Sequence, residues 1–150
     1  MRSEQVILLV EDDPNDAELA RIAMRRSSVQ HTLHVVRDGV EALDWLFRRG
    51  EFTGRDDTVF LRLILLDLKM PKMNGLEVLD QIRQDPRTKL VPVVIFSSSL
   101  EEKDLDQSYH LGANGYVRKP VDFAEYKNVL AEVGTFWIRH NQMPHQEAAA

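Results

Sequence analysis

Leu63-Ile64-Leu65-Leu66-Asp67 is a run of four apolar residues ending in one carboxylate, and Leu68-Lys69-Met70-Pro71-Lys72-Met73-Asn74-Gly75 follows it with a proline and a glycine to turn the chain. A strand with one wet face alternates apolar and polar residues; an unbroken apolar run is expected of a strand covered on both faces. Asp67 then stands at the carboxyl end of that strand. In open α/β sheets, ligands bind at this edge.

Outward from this stretch the chain alternates strand-like and helix-like segments. Residues 6–10 are a first all-apolar strand, which ends on Glu11-Asp12-Asp13. Pro14-Asn15-Asp16 forms a turn that doubles as a helix start, with acids favoured in the first turn, and residues 18–26 are expected to be helical. Residues 32–36 make a second, less buried strand, and Asp38-Gly39 leads into a helix over 40–49. Residues 50–60 are polar and glycine-containing, an exposed loop longer than most connections. A helix over 75–83 follows the Asp67 strand and stops at Asp85-Pro86. Residues 91–96 are another buried strand, running into Ser97-Ser98-Ser99. Residues 101–111 form a thinly apolar helix held mainly by Leu105, Tyr109 and Leu111. Gly112-Ala113-Asn114-Gly115 turns into a short strand over 116–118, closed by Lys119-Pro120. A last helix over 122–140 carries Phe123, Tyr126, Leu130, Val133 and Trp137 on one stripe. Five strands alternating with five helices imply a doubly wound parallel sheet with right-handed crossovers. The all-apolar first, third and fourth strands belong at its centre.

The chain of 150 residues is 43% apolar and 29% charged, the composition of one globular domain with a real core. A net charge of −5 supplies no basic surplus for non-specific nucleic-acid binding. The absence of cysteine removes disulfides and thiolate metal sites. The amino-terminal apolar run is too short for a signal peptide or a membrane span, so no membrane association is expected and the expected location is the cytoplasm.

Strand ends at one edge of a parallel sheet meet in space. Here they bring together Glu11, Asp12, Asp67, Ser97 and Lys119. Three carboxylates in one cleft repel each other unless a cation intervenes. A hard divalent ion such as Mg²⁺ answers this, because it takes carboxylates, waters and a phosphate oxygen. The Lys119 ammonium is a point charge suited to a phosphoryl group, and the Ser97 hydroxyl can add a hydrogen bond. The set is built to place a phosphoryl group on or near Asp67.

Glu11-Asp12, Asp67 with Pro71 and Gly75, Ser97 after an apolar strand, and Gly112-Ala113-Asn114-Gly115-Tyr116-Val117-Arg118-Lys119-Pro120 together resemble a response-regulator receiver domain. The resemblance covers residues 5–140 and implies a flavodoxin-like sheet of strand order 2-1-3-4-5. It makes Asp67 the acceptor of a phosphoryl group from the phosphohistidine of a sensor histidine kinase. Glu11 and Asp12 become the acid pair for Mg²⁺, with Asp12 the more direct ligand, and the Lys69 backbone carbonyl becomes a further ligand. Ser97 and Tyr116 occupy the family's switch positions, Lys119 contacts the phosphoryl group, and Lys119-Pro120 matches a cis bond. A narrower resemblance lies in Trp45-Leu46-Phe47-Arg48-Arg49-Gly50-Glu51-Phe52 and in Lys119-Pro120-Val121-Asp122-Phe123 with Gly134-Thr135-Phe136-Trp137. These segments are similar to small response regulators paired with bacterial phytochromes, which makes a bacteriophytochrome a candidate kinase. That subgroup is single-domain and dimerises through the fourth and fifth helices and the last strand. The expected organisation is a receiver over 5–140, a tail over 141–150 and no separate output domain.

Plainer roles compete at several of these positions. Asp13 is expected to cap the first helix and Ser99 the fourth, and the histidines, which lack ligand spacing, are expected in solvent. Val129, Phe136 and Ile138 fall off the apolar stripe of the last helix, which suggests a second copy as partner. A Mg²⁺-dependent phosphohydrolase acting through an aspartyl-phosphate is the rival from another class. Such enzymes place a second acid two residues after the nucleophile, where this chain has Lys69, so an enzyme is not expected. A receiver that has lost phosphorylation and serves as a scaffold is the third reading, and the complete set of cleft residues argues against it.

Overall fold

In the computed structural model, which describes residues 4–27 and 29–144, the apolar run lies in the middle strand of a five-stranded parallel sheet. β1 (Gln5–Val10), β2 (Thr32–Val36), β3 (Phe60–Leu66), β4 (Val93–Ser97) and β5 (Gly115–Arg118) are arranged in the order β2-β1-β3-β4-β5. Val10 pairs with Val36 on one side and with Leu66 on the other, Leu66 pairs with Ile95, and Ser97 pairs with Arg118. This register lets Glu11, Asp67 and Lys119 leave the sheet side by side.

The helices are α1 (Pro14–Arg25), α2 (Gly39–Phe47), α3 (Gly75–Gln84), α4 (Glu102–His110) and α5 (Phe123–Thr135). Alternate side chains of the central strands divide between two cores. Val6, Leu8, Val10, Ile64 and Leu66 pack on α2 and α3 through Leu43, Val78, Leu79 and Ile82. Ile7, Leu9, Leu63 and Leu65 pack on α1 and α5 through Ala20, Ala23, Met24, Tyr126 and Leu130. Leu63, Ile64, Leu65 and Leu66 are wholly buried, and each such side chain contributes about 1.5–3 kcal/mol relative to exposure. The strand that carries Asp67 is therefore among the most firmly held parts of the molecule. Asp13, Asp38, Asn74 and Asp122 cap α1, α2, α3 and α5 by accepting main-chain N–H groups of the first turn.

The structure departs from the sequence expectation in five places. Helix α4 buries only Ser108, and Leu105 and Tyr109 face solvent rather than anchoring it. The chain beyond α5 continues as a π-helical turn, Phe136–His140. The extra residue of that turn rotates the following side chains relative to an α-helical stripe, so Ile138 is buried while Phe136 stays exposed. Ile138 is thus core, not spare surface. The Lys119–Pro120 bond is trans, like every described peptide bond, the lower-energy form of a bond to proline. His34 is not solvated: it stacks on Trp45 with ring centroids 5.3 Å apart and meets the edge of Phe52. The loop after α2 is mostly exposed, as expected, but Arg55 fastens it. Its guanidinium lies 4.0 Å from the Trp45 ring and donates to the Trp45 carbonyl at 2.8 Å. Of the expected tail, residues 145–150 lie outside the described residues.

Candidate functional site

Two main-chain bonds tie the first strand's end to its neighbours: Glu11 N–H donates to the Val36 carbonyl of β2 at 2.9 Å, and Asp67 N–H, after β3, to the Val10 carbonyl at 3.2 Å. A third, from Lys119 N–H to the Ser97 carbonyl at 2.8 Å, brings the end of β5 against the end of β4. The turn after Asp67 is held by Gly75 N–H on the Leu68 carbonyl at 2.9 Å. A β-carbon at position 75 would lie 2.2 Å from the Asp67 carbonyl oxygen. Only glycine lets α3 start so close to the main chain of Asp67 and Leu68.

The side chains then converge on Lys119. Its Nζ donates to Glu11 Oε2 at 2.7 Å, to Asp67 Oδ2 at 3.1 Å and to Asp16 Oδ2 at 3.1 Å. The other oxygen of Asp67 accepts Leu68 N–H at 2.8 Å, and Glu11 Oε1 accepts Asp13 N–H at 3.1 Å. The carboxylates are therefore oriented by the main chain as well as by the lysine. Glu11, Asp67 and the Lys119 side chain are all buried, whereas Asp12 is exposed at the mouth.

Burial pushes the Glu11 carboxyl up to about 7, against the lowering pull of Lys119. Burial by itself would depress the Lys119 ammonium, but the hydrogen bond to Glu11 and the charges of Asp67 and Glu11 outweigh it and hold the pKa above the ordinary lysine range. The ammonium is a fixed cation at neutral pH.

Glu11, Asp12 and Asp67 each offer a carboxylate oxygen, and these oxygens lie within 4.8 Å of one another. An all-oxygen set with more acids than lysine suits a hard divalent cation and not a soft one. Chemically, the cleft can hold such a cation on its acids and neutralise a phosphoryl group with its ammonium, while Asp67 supplies an oriented nucleophilic oxygen.

Of the residues expected from the sequence, Glu11, Asp12, Asp67 and Lys119 are brought together. Lys69 is exposed on the adjoining turn. Ser97 sits at the cleft floor, buried, but its hydroxyl accepts Ser99 N–H at 3.1 Å. Among the described residues no hydrogen bond joins that hydroxyl to Asp67 or Lys119. Tyr116 is half-buried, and its hydroxyl donates to the Ser99 carbonyl at 3.3 Å. Ser99 stands before the α4 cap rather than at it: its hydroxyl accepts Glu101 N–H at 3.3 Å and donates to Asp104 Oδ2 at 2.5 Å. Asp16 was not anticipated. In sequence it is one more acid in the first turn of a helix, and only the fold shows it reaching Lys119.

The response regulator receiver domain model matches residues 7–131. Response regulator Rcp1 of Synechocystis sp. is 36% identical over 140 residues, which cover 93% of this chain and 93% of that protein. The crystal structure of the phosphorylated cyanobacterial phytochrome response regulator RcpA superposes with a TM-score of 0.88 at 36% identity, over 95% of this chain and 100% of the other. The Mn(2+)-bound form of Rcp1 gives a TM-score of 0.85 at 36% identity, over 93% and 99% of the two chains. An acid cleft closed by one lysine, at the carboxyl edge of a 2-1-3-4-5 sheet, is found in a chain that belongs to the response regulator receiver domain family.

Proposed function

We propose that Asp67 is the phosphoacceptor of a two-component system. Its Oδ attacks the phosphorus of a kinase phosphohistidine, the P–N bond breaks, and an acyl phosphate forms on Asp67. The single observation that supports this best is the Lys119 ammonium 3.1 Å from Asp67 Oδ2, where it can meet the charge of an incoming phosphoryl group. Glu11 and Asp12 with Asp67 would hold Mg²⁺, assisted by the Lys69 backbone carbonyl and water. When bound, the ion neutralises phosphoryl oxygens and cancels the mutual repulsion of the acids. The family's usual cation and the Mn(2+)-bound relative support that assignment.

The output runs through Ser97 and Tyr116. A hydroxyl that accepts one hydrogen bond keeps its own O–H to donate. A phosphoaspartate, with added charge and acceptor oxygens, draws Ser97 toward it and breaks the Ser97–Ser99 contact. Ser99 in turn holds Asp104 of α4 and the Tyr116 hydroxyl, so the pull shifts the weakly packed α4 and the ring of Tyr116. Hydrogen exchange should then change over residues 97–112 on phosphorylation.

Receivers of this family typically act as regulators rather than enzymes. The receiver unit spans residues 5–140, with 141–150 as a tail. The kinase is a sensor histidine kinase, with a phytochrome favoured by the likeness to RcpA. The partner surface is α4, β5 and α5, used by a second copy of the chain. No described helix is long and apolar enough to cross a membrane. Incubation with acetyl phosphate and Mg²⁺ should add one phosphoryl group, seen by intact mass, and Asp67→Asn should abolish it. Labelling that survives Asp67→Asn would overturn the assignment.

A further inference from the structure

Lys119 has a third partner that the phosphotransfer chemistry does not itself require. An ammonium carries three donors and no acceptor, and here each donor has one carboxylate: Glu11, Asp67 and Asp16. Asp16 differs from the other two, for it stands outside the Glu11, Asp12, Asp67 group whose oxygens can close on a cation. It reaches the cleft from the first turn of α1, and its own position is fixed from two sides. Its N–H donates to Asp13 Oδ1 at 3.3 Å, and its carbonyl accepts the hydroxyl of the buried Tyr126 on α5 at 3.2 Å. The Tyr126 ring leans on Phe96, with centroids 5.2 Å apart, and Lys119 Nζ lies 6.0 Å from the centroid of the Phe96 ring. One side of the lysine is therefore a wall built from α1, α5 and β4, and Asp16 is the charge set into it.

We propose that Asp16 is a positioning residue for phosphotransfer: it keeps the Lys119 ammonium beside Asp67 once the acids of the cleft are engaged by a divalent cation. This role rests on Asp67 being the phosphoacceptor. A cation held by Glu11 and Asp67 repels the ammonium from the oxygens it now touches. Asp16, which stands outside the group that can close on the cation, is the remaining anchor. Because the Lys119 side chain is only 8% exposed, water competes weakly with that hold.

The test compares Asp16→Asn, nearly the same shape without the charge, with Asp16→Glu, which keeps the charge. In lysine-labelled protein at saturating Mg²⁺ and low temperature, ¹H–¹⁵N spectra should show a slowly exchanging Lys119 ammonium signal, identified by its loss in Lys119→Met. The signal should be lost or broadened in Asp16→Asn and retained in Asp16→Glu. Labelling by acetyl phosphate at saturating Mg²⁺ should be about tenfold slower in Asp16→Asn, the size expected for losing a hydrogen bond to a charged group, and close to wild type in Asp16→Glu. Circular dichroism checks that both variants fold. An unchanged signal or an unchanged rate in Asp16→Asn overturns the proposal. So does equal loss in both variants, which would make shape and not charge the cause. Wild-type protein that takes up no label would instead refute the phosphoacceptor assignment, and the ammonium signal would still report on Asp16.

Discussion

Gly75 packs so closely against Asp67 that a β-carbon on it would stand 2.2 Å from the Asp67 carbonyl oxygen and 2.9 Å from the Leu68 α-carbon. Both obstacles are main chain, so no side chain can swing aside to relieve them. Gly75→Ala should destabilise the fold by about 1–3 kcal/mol, the usual cost of overpacking, read from urea unfolding. It should also slow acetyl-phosphate labelling, because the turn that must yield carries the phosphoacceptor.

Cation binding should be visible as stability. The exposed Asp12 closes the group with buried Glu11 and Asp67. A ligand that binds only the folded state at 100 times its Kd adds about 2.7 kcal/mol. Mg²⁺ should therefore raise the melting temperature of the wild type, and Asp12→Asn should remove most of that rise. Without Mg²⁺ the same variant should unfold within about 0.5 kcal/mol of wild type, as an exposed substitution does.

Much of this was legible in the chain. Apolar runs ending in acids are readable because burial on both faces removes alternation, and the strand ends of a parallel sheet share one edge. Glu11, Asp12, Asp67 and Lys119 followed from that alone. Asp16 did not, because an acid in a first helical turn already has a sufficient reason to be there. The inward turn of Ile138 was hidden for another cause: a π-turn adds one residue to the helical period, and nothing in Phe136-Trp137-Ile138-Arg139-His140 announces it. The stacking of His34 on Trp45 needed α2 to pack beside β2 and the loop's Phe52 to close on the ring, contacts with no local signature.

The proposed dimer face carries exposed apolar side chains on three adjoining segments: Leu105 and Tyr109 on α4, Val121 before α5, and Phe123 and Phe136 on or beyond α5. Placing a charge on this face, at the exposed Phe123, should prevent self-association while sparing the core. Phe123→Asp should sediment as a monomer at concentrations where wild type is dimeric and should melt within a few degrees of it. A wild type that stays monomeric both with and without phosphorylation would remove the second copy as partner.

Arg62 of β3 joins the sheet to the end of the last described helical turn, Phe136–His140. One guanidinium nitrogen donates to the carbonyls of Trp137, Ile138 and Asn141 at 3.1, 3.0 and 2.9 Å. These are the orphan acceptors of a helix terminus. Arg62→Met keeps the apolar stem and removes the donors, so it should cost about 1–3 kcal/mol in urea unfolding. Hydrogen exchange should rise most in the π-turn.

His34 gives the fold a pH dependence whose sign can be worked out. Burial first, and the nearby charge of Arg55 second, lower its pKa below the ordinary 6.5. In the window between that lowered value and 6.5 the unfolded chain binds more protons than the native one, so stability rises with pH there and falls on acidification. Glu11 acts oppositely: its raised pKa gives stability that is complete below the ordinary 4.5 and lost as pH rises through about 7. The two slopes oppose each other in the wild type, so the profile of a single protein cannot separate them. Subtracting a variant can. His34→Phe preserves an aromatic ring against Trp45 and leaves Glu11 untouched. The stability difference between wild type and His34→Phe, measured by urea unfolding from pH 5 to 7.5, should move in favour of the variant as pH falls below 6.5. A difference that stays flat across that range would mean the ring can be protonated where it lies, with Arg55 and the stacked Trp45 imposing no penalty.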